Sequence, residues 1–205
     1  MEKLVKDIAI VYKGLQITKN EIEKPKNMDN IRELTLLSYD DMISYYTVPT
    51  LSHTIVSTES IKRSSKVYIN MKKKYKEATM HKGDIVFPVG LKRPEPRIVN
   101  WTDLFEKDYE NYIYSNELII IRVLDTNNVK PEFLFHLLNT SLNKARLRCA
   151  SSKNGRHRLT CEILENIKVY IPNTKEQIDA LKDLEYANKI REKVEDYFIE
   201  CATII

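Results

Sequence analysis

Leu118-Ile119-Ile120-Ile121-Arg122-Val123 is the most β-rich run in the chain, and the sequence that follows it is of a different kind. A run dominated by β-branched side chains, with no clean polar/apolar alternation, reads as a strand buried on both faces. Further on, Pro131 stands where a first helical turn begins, and Phe133, Leu134, Leu137 and Leu138 fall on one stripe. The pattern predicts a helix over Glu132 to Asn139, with helical character continuing to about Ala150. A doubly covered strand followed by helices places the chain in the α+β class.

Working outward from that strand, Lys82-Gly83-Asp84-Ile85-Val86-Phe87 reads as a tight turn delivering the chain into a second buried strand. Gly-Asp supplies a backbone conformation that Ile-Val-Phe could not adopt. Earlier still, a short amphipathic turn from Leu4 leads into the strand-like run Ile8 to Tyr12, which Gly14 ends. Residues 19 to 30 are a polar loop. Ile31 to Leu37 and Tyr45 to Val48 read as strands around an Asp40-Asp41 turn, and Val67-Tyr68-Ile69 as another. Pro88, Pro94 and Pro96, interleaved with Lys92, Arg93 and Arg97, predict a stiff basic loop rather than a helix or central strand. Downstream of the helices, Ser151 to Arg158 reads as a polar, cationic loop and Ile167 to Ile171 as a last strand.

The C-terminal segment changes character again. Thr174-Lys175-Glu176-Gln177, after Pro172, reads as a capping box in which the Thr174 hydroxyl accepts from the Gln177 amide and the Gln177 side chain reaches back. Apolar residues then recur at Ile178, Leu181, Leu184, Ala187, Ile190, Val194, Phe198 and Cys201, in steps of three and four. A helix of about 27 residues would reach about 40 Å, longer than a small domain needs, and calls for a partner. The alternative is that it folds back along its own domain.

Composition bounds the chemistry. The 205 residues suit one domain with an appendage. The 4 glycines, at 14, 83, 90 and 155, are too scattered to write GxGxxG or GxxxxGK, which argues against a Rossmann or P-loop nucleotide site. Cys149, Cys161 and Cys201 form no CxxC pair, so neither a disulfide framework nor a zinc site is indicated. The charged N-terminus and the short apolar runs point to a soluble, unexported protein. No HExxH or GxSxG occurs, and His53, His81, His136 and His157 lie far apart in sequence. His136, within the apolar stripe region, reads as a helix histidine rather than a ligand. Pro94-Glu95-Pro96-Arg97 only caricatures the acidic trio of an endonuclease, and the Asp40-Asp41 pair suits local turn hydrogen bonds better than a metal.

What remains is binding chemistry. The formal net charge of +4 conceals two basic blocks: residues 61 to 97 hold 11 basic and 3 acidic side chains, and residues 141 to 171 hold 7 and 2. If folding brings them together, they present a one-sided field to a polyanion; otherwise they merely coat a solvated face. Lys72, Lys73, Lys74 and Lys76 suit phosphates, with Lys92 and Lys153 extending the blocks. Arg93, Arg97, Arg156 and Arg158 carry planar forks suited to guanine edges, and Asn154 suits adenine, with His157 between these last arginines. Tyr68, Tyr75 and Trp101 lie beside these segments.

The order of segments resembles the target recognition domain of the specificity (S) subunit of type I restriction-modification systems. The residues carrying the likeness are Leu4-x-x-Asp7-Ile8-Ala9 with Gly14, Lys82-Gly83-Asp84-Ile85-Val86, Asn116 to Arg122, Lys130-Pro131-Glu132-Phe133-Leu134 through Leu138-Asn139-Thr140, Leu159 to Ile163, Ile167 to Pro172, and Glu176-Gln177-Ile178. The resemblance implies a mixed-sheet recognition domain with short helices over residues 1–173, followed by a long spacer helix over 174–205 that pairs as an antiparallel coiled coil. It further implies a noncatalytic, cytoplasmic DNA reader without cofactor or metal. Its implied partners are double-stranded DNA, adenine-methyltransferase (modification) subunits, the restriction motor subunit through the complex, and no membrane. The family's usual two domains and two helices are here one of each, as in a half S subunit, and Met1 with the short tail after Phe198 favours a natural half over a fragment. Two copies would then pair through Ile178, Leu181, Leu184, Ile190, Val194 and Phe198 as a homodimer. The competing readings are a stand-alone metal-dependent DNA endonuclease, a fragment of a methyltransferase fusion, and a protein-interaction module that occupies the modification subunit.

Overall fold

The computed structural model describes residues 1–22, 26, 30–37, 66–70, 79–90, 97–98, 111–153 and 156–203. The expected strand over Tyr45 to Val48 and the Asp40-Asp41 turn lie outside them. Among these residues the chain forms β1 (Glu2–Leu4), β2 (Ala9–Lys13), β3 (Ile31–Leu37), β4 (Lys66–Asn70), β5 (Ile85–Pro88), β6 (Arg97–Ile98), β7 (Tyr112–Tyr114) and β8 (Leu118–Val123). Then come α1 (Pro131–Leu138), α2 (Ser141–Ser151), β9 (Ser152–Lys153), β10 (Arg156–His157), α3 (Cys161–Glu165), β11 (Lys168–Tyr170) and α4 (Thr174–Thr203). A 3-10 turn over Val5–Asp7 joins β1 to β2.

β8 lies at the centre, antiparallel to β2 on one side and β5 on the other, in the order β2-β8-β5-β6. Its alternating side chains serve two cores, as the period of a strand requires. Ile119, Ile121 and Val123, with Ile85 and Phe87 of β5, pack against Leu134, Phe135 and Leu138 of α1, Leu147 of α2 and Leu164 of α3. Leu118 and Ile120, with Val86, face the other way onto Leu37, Met80 and Tyr114. Those last residues belong to or adjoin a second sheet, β4-β3-β7, in which β3 runs antiparallel to β4 and parallel to β7. Gly14 sits where the two sheets touch: its amide donates to the Leu118 carbonyl, and a Cβ there would collide with the Tyr114 and Ser115 carbonyls. The mixed α+β architecture with a long C-terminal helix is the expected one.

Several local expectations are corrected. Pro88 is not loop: it ends β5 opposite Leu118, a position at the end of a strand that costs no internal ladder bond. Arg97 pairs with Val86 as part of β6, so the proline segment becomes strand at both ends. The single helix expected from Glu132 to about Ala150 is two, because Thr140 caps a new start, its hydroxyl accepting from the Asn143 amide at 3.4 Å. The cationic loop 151–158 contains a hairpin, β9 against β10. The last strand pairs with the first, Glu2 opposite Tyr170 and Leu4 opposite Lys168.

The helix start shifts by one residue. Asn173, not Thr174, makes the reciprocal cap: its Oδ1 accepts from the Glu176 amide at 3.0 Å, and its own amide donates to Glu176 Oε2 at 3.1 Å. Thr174 instead donates its hydroxyl proton to the Asn127 carbonyl, and Gln177 turns inward, fully buried. The resulting helix has 30 residues. His136, on the polar flank of α1, is held below its ordinary imidazole range by burial.

Because Ile121 has no exposed surface and lies in the core cluster shared with α1, α2 and α3, Ile121→Ala should lower the unfolding free energy by about 2–5 kcal/mol, read from urea denaturation.

Candidate nucleic-acid interface

A buried polar cluster joins the two sheets. Gly83, at φ 85°, makes the turn that no L side chain accommodates easily, and the Asp84 carboxylate it delivers is buried. Arg122 reaches it from β8 as a fork: Nε donates to Oδ1 at 2.7 Å and Nη2 to Oδ2 at 2.8 Å. Tyr114 of β7 donates its hydroxyl proton to Oδ2 at 2.9 Å, and the His81 amide donates to the same oxygen at 2.9 Å. Arg122 Nη2 also donates to the Thr79 carbonyl at 2.7 Å and to the Tyr12 hydroxyl oxygen at 2.8 Å, with the guanidinium 5.4 Å from the Tyr12 ring centre. Burial pushes the Tyr12 and Tyr114 phenols upward, and the negative charge of Asp84 adds to it, so both stay protonated. Burial works against the charged guanidinium, yet the Asp84 hydrogen bonds and charge hold Arg122 above its ordinary value.

Lys72, Lys73, Lys74, Lys76, Lys92, Arg93 and Asn154, together with Tyr75 and Trp101, lie outside the described residues. Of the rest, Arg97 stands in β6 beside Val86, and Lys153, Arg156 and His157 stand in the β9–β10 hairpin, Lys153 opposite Arg156. Arg158 is exposed, and its amide donates to the Ser151 carbonyl at the end of α2. The next amide, that of Leu159, donates to the Val89 carbonyl at 2.9 Å. This bond joins the second basic block to the chain that has just left β5, on its way into the first block's proline segment. Arg97 thus lies beside the first half of β5, and the chain carrying Arg158 meets β5's exit just past its end. Two further basic residues, Arg146 and Arg148 on the exposed side of α2, continue the hairpin's charge. Sequence alone gave them no distinction, because a cation near a helix C-terminus is also ordinary dipole compensation.

The long helix α4 carries the expected positions in two groups. Leu181 and Leu184 are half-buried, while Ile178, Ile190 and Val194 are exposed, the last two at 46% and 48%; Phe198 lies in the helix. Tyr186 and Tyr197, missed by the three-and-four count from Ile178, extend the exposed stripe: 186, 190, 194 and 197 lie within one narrow sector of a helix. Asp179 and Lys182, Glu185 and Lys189, and Arg191 and Glu195 pair along the helix's solvated flank.

Among the described residues no group of His, Cys, Asp or Glu is placed to hold a metal ion, and no helix is long and apolar enough to cross a membrane. The described residues form a body of two main sheets and short helices that carries a hairpin with basic residues and one long helix exposed over much of its length. The chain belongs to the family of type I restriction modification DNA specificity domains, which it matches over residues 2–196. No curated protein matches it in sequence. Among solved structures it is similar to the type I restriction-modification S subunit from M. genitalium, with a TM-score of 0.53 at 12% identity, covering 96% of this chain and 41% of that one. The HsdS subunit from Thermoanaerobacter tengcongensis gives 0.58 at 16% identity, covering 94% and 43%. A chain from a study of complex assembly and conformational transition of the type I R-M system gives 0.50 at 14%, covering 95% and 38%. The chain therefore spans about two fifths of the S subunits whose fold it shares.

Removing either partner of the Asp84–Arg122 pair leaves a buried, unpaired charge. Asp84→Asn and Arg122→Met should each destabilise the body by about 3–5 kcal/mol, while the double variant should cost clearly less than the sum in a denaturation cycle.

Proposed function

We propose that the chain is one half of a DNA specificity subunit: residues 1–173 read one half of a bipartite site, and residues 174–205 pair with the same helix of a second copy. The family match supports DNA specificity as the task, and it runs across the body and most of the long helix. The observation that carries the half-subunit reading is the dosage, one mixed-sheet body and one 30-residue helix in a chain that spans about two fifths of the S subunits it resembles. In this reading the chain performs no chemistry. It positions modification subunits that methylate adenine, and through the complex a restriction motor that cleaves, in the cytoplasm.

The DNA-contacting residues proposed are Lys72, Lys73, Lys74, Lys76, Lys92, Arg93, Arg97, Lys153, Asn154, Arg156, His157 and Arg158. The Leu159–Val89 hydrogen bond supports their acting together, since it ties the chain of one basic block to that of the other. Lysines there would neutralise phosphates and fix register, while the arginine forks and Asn154 would read base edges. The helix pairing proposed uses Ile178, Leu181, Leu184, Ile190, Val194 and Phe198, joined by Tyr186 and Tyr197. An antiparallel pair of identical helices makes the two halves related by a two-fold axis, so the recognised site should be palindromic and interrupted.

Sequencing-based mapping of methylation on DNA treated with this chain and its modification subunit tests the whole reading. A palindromic bipartite adenine mark is expected. An asymmetric mark would replace self-pairing with pairing to a different half, and no mark together with no duplex binding in the complex would end the DNA-reader assignment. Metal-dependent cleavage by the chain alone would favour the endonuclease instead.

On a cognate duplex, affinity should fall steeply with salt, in proportion to the number of phosphates neutralised. Arg97→Ala and Arg158→Ala should each weaken binding by about 1–3 kcal/mol, seen in a titration against cognate and scrambled sites. Loss of selectivity along with affinity marks base readout, and a uniform loss marks a phosphate contact.

A further inference from the structure

The start of α4 is fastened to the body by side chains whose bonds leave no freedom of direction. Gln177 has no exposed surface, and every hydrogen-bonding group of its amide except one lone pair is used. Its Nε2 donates to the Asn128 carbonyl at 2.8 Å and to the Pro172 carbonyl at 2.9 Å, and its Oε1 accepts from the Lys130 amide at 2.8 Å. Thr174, one turn earlier, donates to the Asn127 carbonyl at 3.0 Å. The first turn of the helix thus grips residues 127, 128 and 130, the loop that leads into α1.

That loop is itself stiffened from within. Asp125 Oδ1 accepts from the Asn127 amide at 2.9 Å and Oδ2 from the Asn128 side-chain amide at 2.6 Å, while the Asp125 carbonyl accepts from the Val129 amide. The Asn127 and Asn128 donors hold the Asp125 carboxyl below its ordinary range. Reversing the Gln177 amide would set its NH2 against the Lys130 N–H and its oxygen against two carbonyls, so the grip has a single sense.

We infer that Gln177, with Thr174, is a positioning element that sets the direction in which the long helix leaves the recognition body, and hence the number of base pairs between the two half-sites. The inference rests on the half-subunit reading and deepens it. From residue 177 to the end of the helix is about 39 Å at 1.5 Å per residue, so a swing of only about 5° at the base moves the far end by about 3.4 Å, one base-pair rise. A loose base could not hold a spacing to the base pair. A base locked by three bonds from one buried side chain can.

The test uses the full chain with its modification subunit and a set of duplexes in which both half-sites are constant and the spacer varies by one base pair at a time. The unmodified chain should methylate one spacer length. In Gln177→Leu, the preference for that length over its neighbours should drop about tenfold, the factor associated with about one buried hydrogen bond, while the half-site bases stay the same. Thr174→Val, a milder change that leaves Gln177 intact, should move the preference in the same direction by less, and it decides the matter if Gln177→Leu does not fold. Spacer preference as sharp as that of the unmodified chain in the folded variants overturns the elbow and leaves the functional reading standing. So does equal loss of methylation at every spacer, which marks a purely structural role. Absence of any bipartite mark from the unmodified chain overturns the functional reading itself.

Discussion

The buried Asp84–Arg122 pair, held on the sheet of β8 and β5, is the anchor to which the second sheet is bonded through the Tyr114 hydroxyl and the Thr79 carbonyl. A guanidinium and a carboxylate withdrawn from water are costly unless every remaining group is satisfied. Here Asp84 receives Arg122, the Tyr114 hydroxyl and the His81 amide, and Arg122 Nη2 also bonds the Tyr12 hydroxyl oxygen and the Thr79 carbonyl. The partners come from β2, β7, β8 and the approach to β5. Apolar packing between Val86, Ile120 and Leu37 brings the sheets together without direction. The directional bonds between the sheets are those of Tyr114 to Asp84 and of Arg122 to the Thr79 carbonyl.

Much of this architecture is legible in the sequence where local chemistry decides it. β3 spans Ile31–Leu37 as its alternation predicts, and β8 spans Leu118–Val123 as its branched residues predict. Pro131 opens α1 as the first helical residue. The order of short segments resembling a recognition domain added what periodicity cannot give, the relation of these pieces to a task, and the family match agrees with it. What local pattern misses is partner choice across long stretches of chain. Asp84 reads as a turn residue, and it is one; nothing in its neighbourhood reveals an arginine 38 residues away. Gln177 reads as the far end of a capping box because its spacing from Thr174 suits one. Asn173 and Glu176 have the same spacing and take the role, which frees Gln177 for contacts nearly 50 residues distant. The hairpin in 151–158 is equally hidden, since two-residue strands have no periodicity to read.

The division of labour within the chain follows from how each part is held. The body is fixed by three buried apolar clusters and a buried charge cluster. Among the described residues the helix packs on α1 and is bonded at its first turn to the loop before α1 and to the Pro172 carbonyl. Beyond Leu184 it carries an exposed apolar stripe and salt-bridged flanks, a surface that suits another helix better than water.

The pairing of β1 with β11 bears on the order of events during synthesis. Met1 to Leu4 must wait for Lys168 to Ile171, and at about 5–20 residues per second this is roughly ten to thirty seconds on the ribosome. β2, which needs β8, also waits, though for less. The N-terminal strands therefore spend most of translation as open edges, and the loop they eventually close is among the longest the chain permits. Closure becomes possible just as the helix begins to emerge. A recognition body that cannot finish folding until its own extension is being made has little opportunity to exist complete without it.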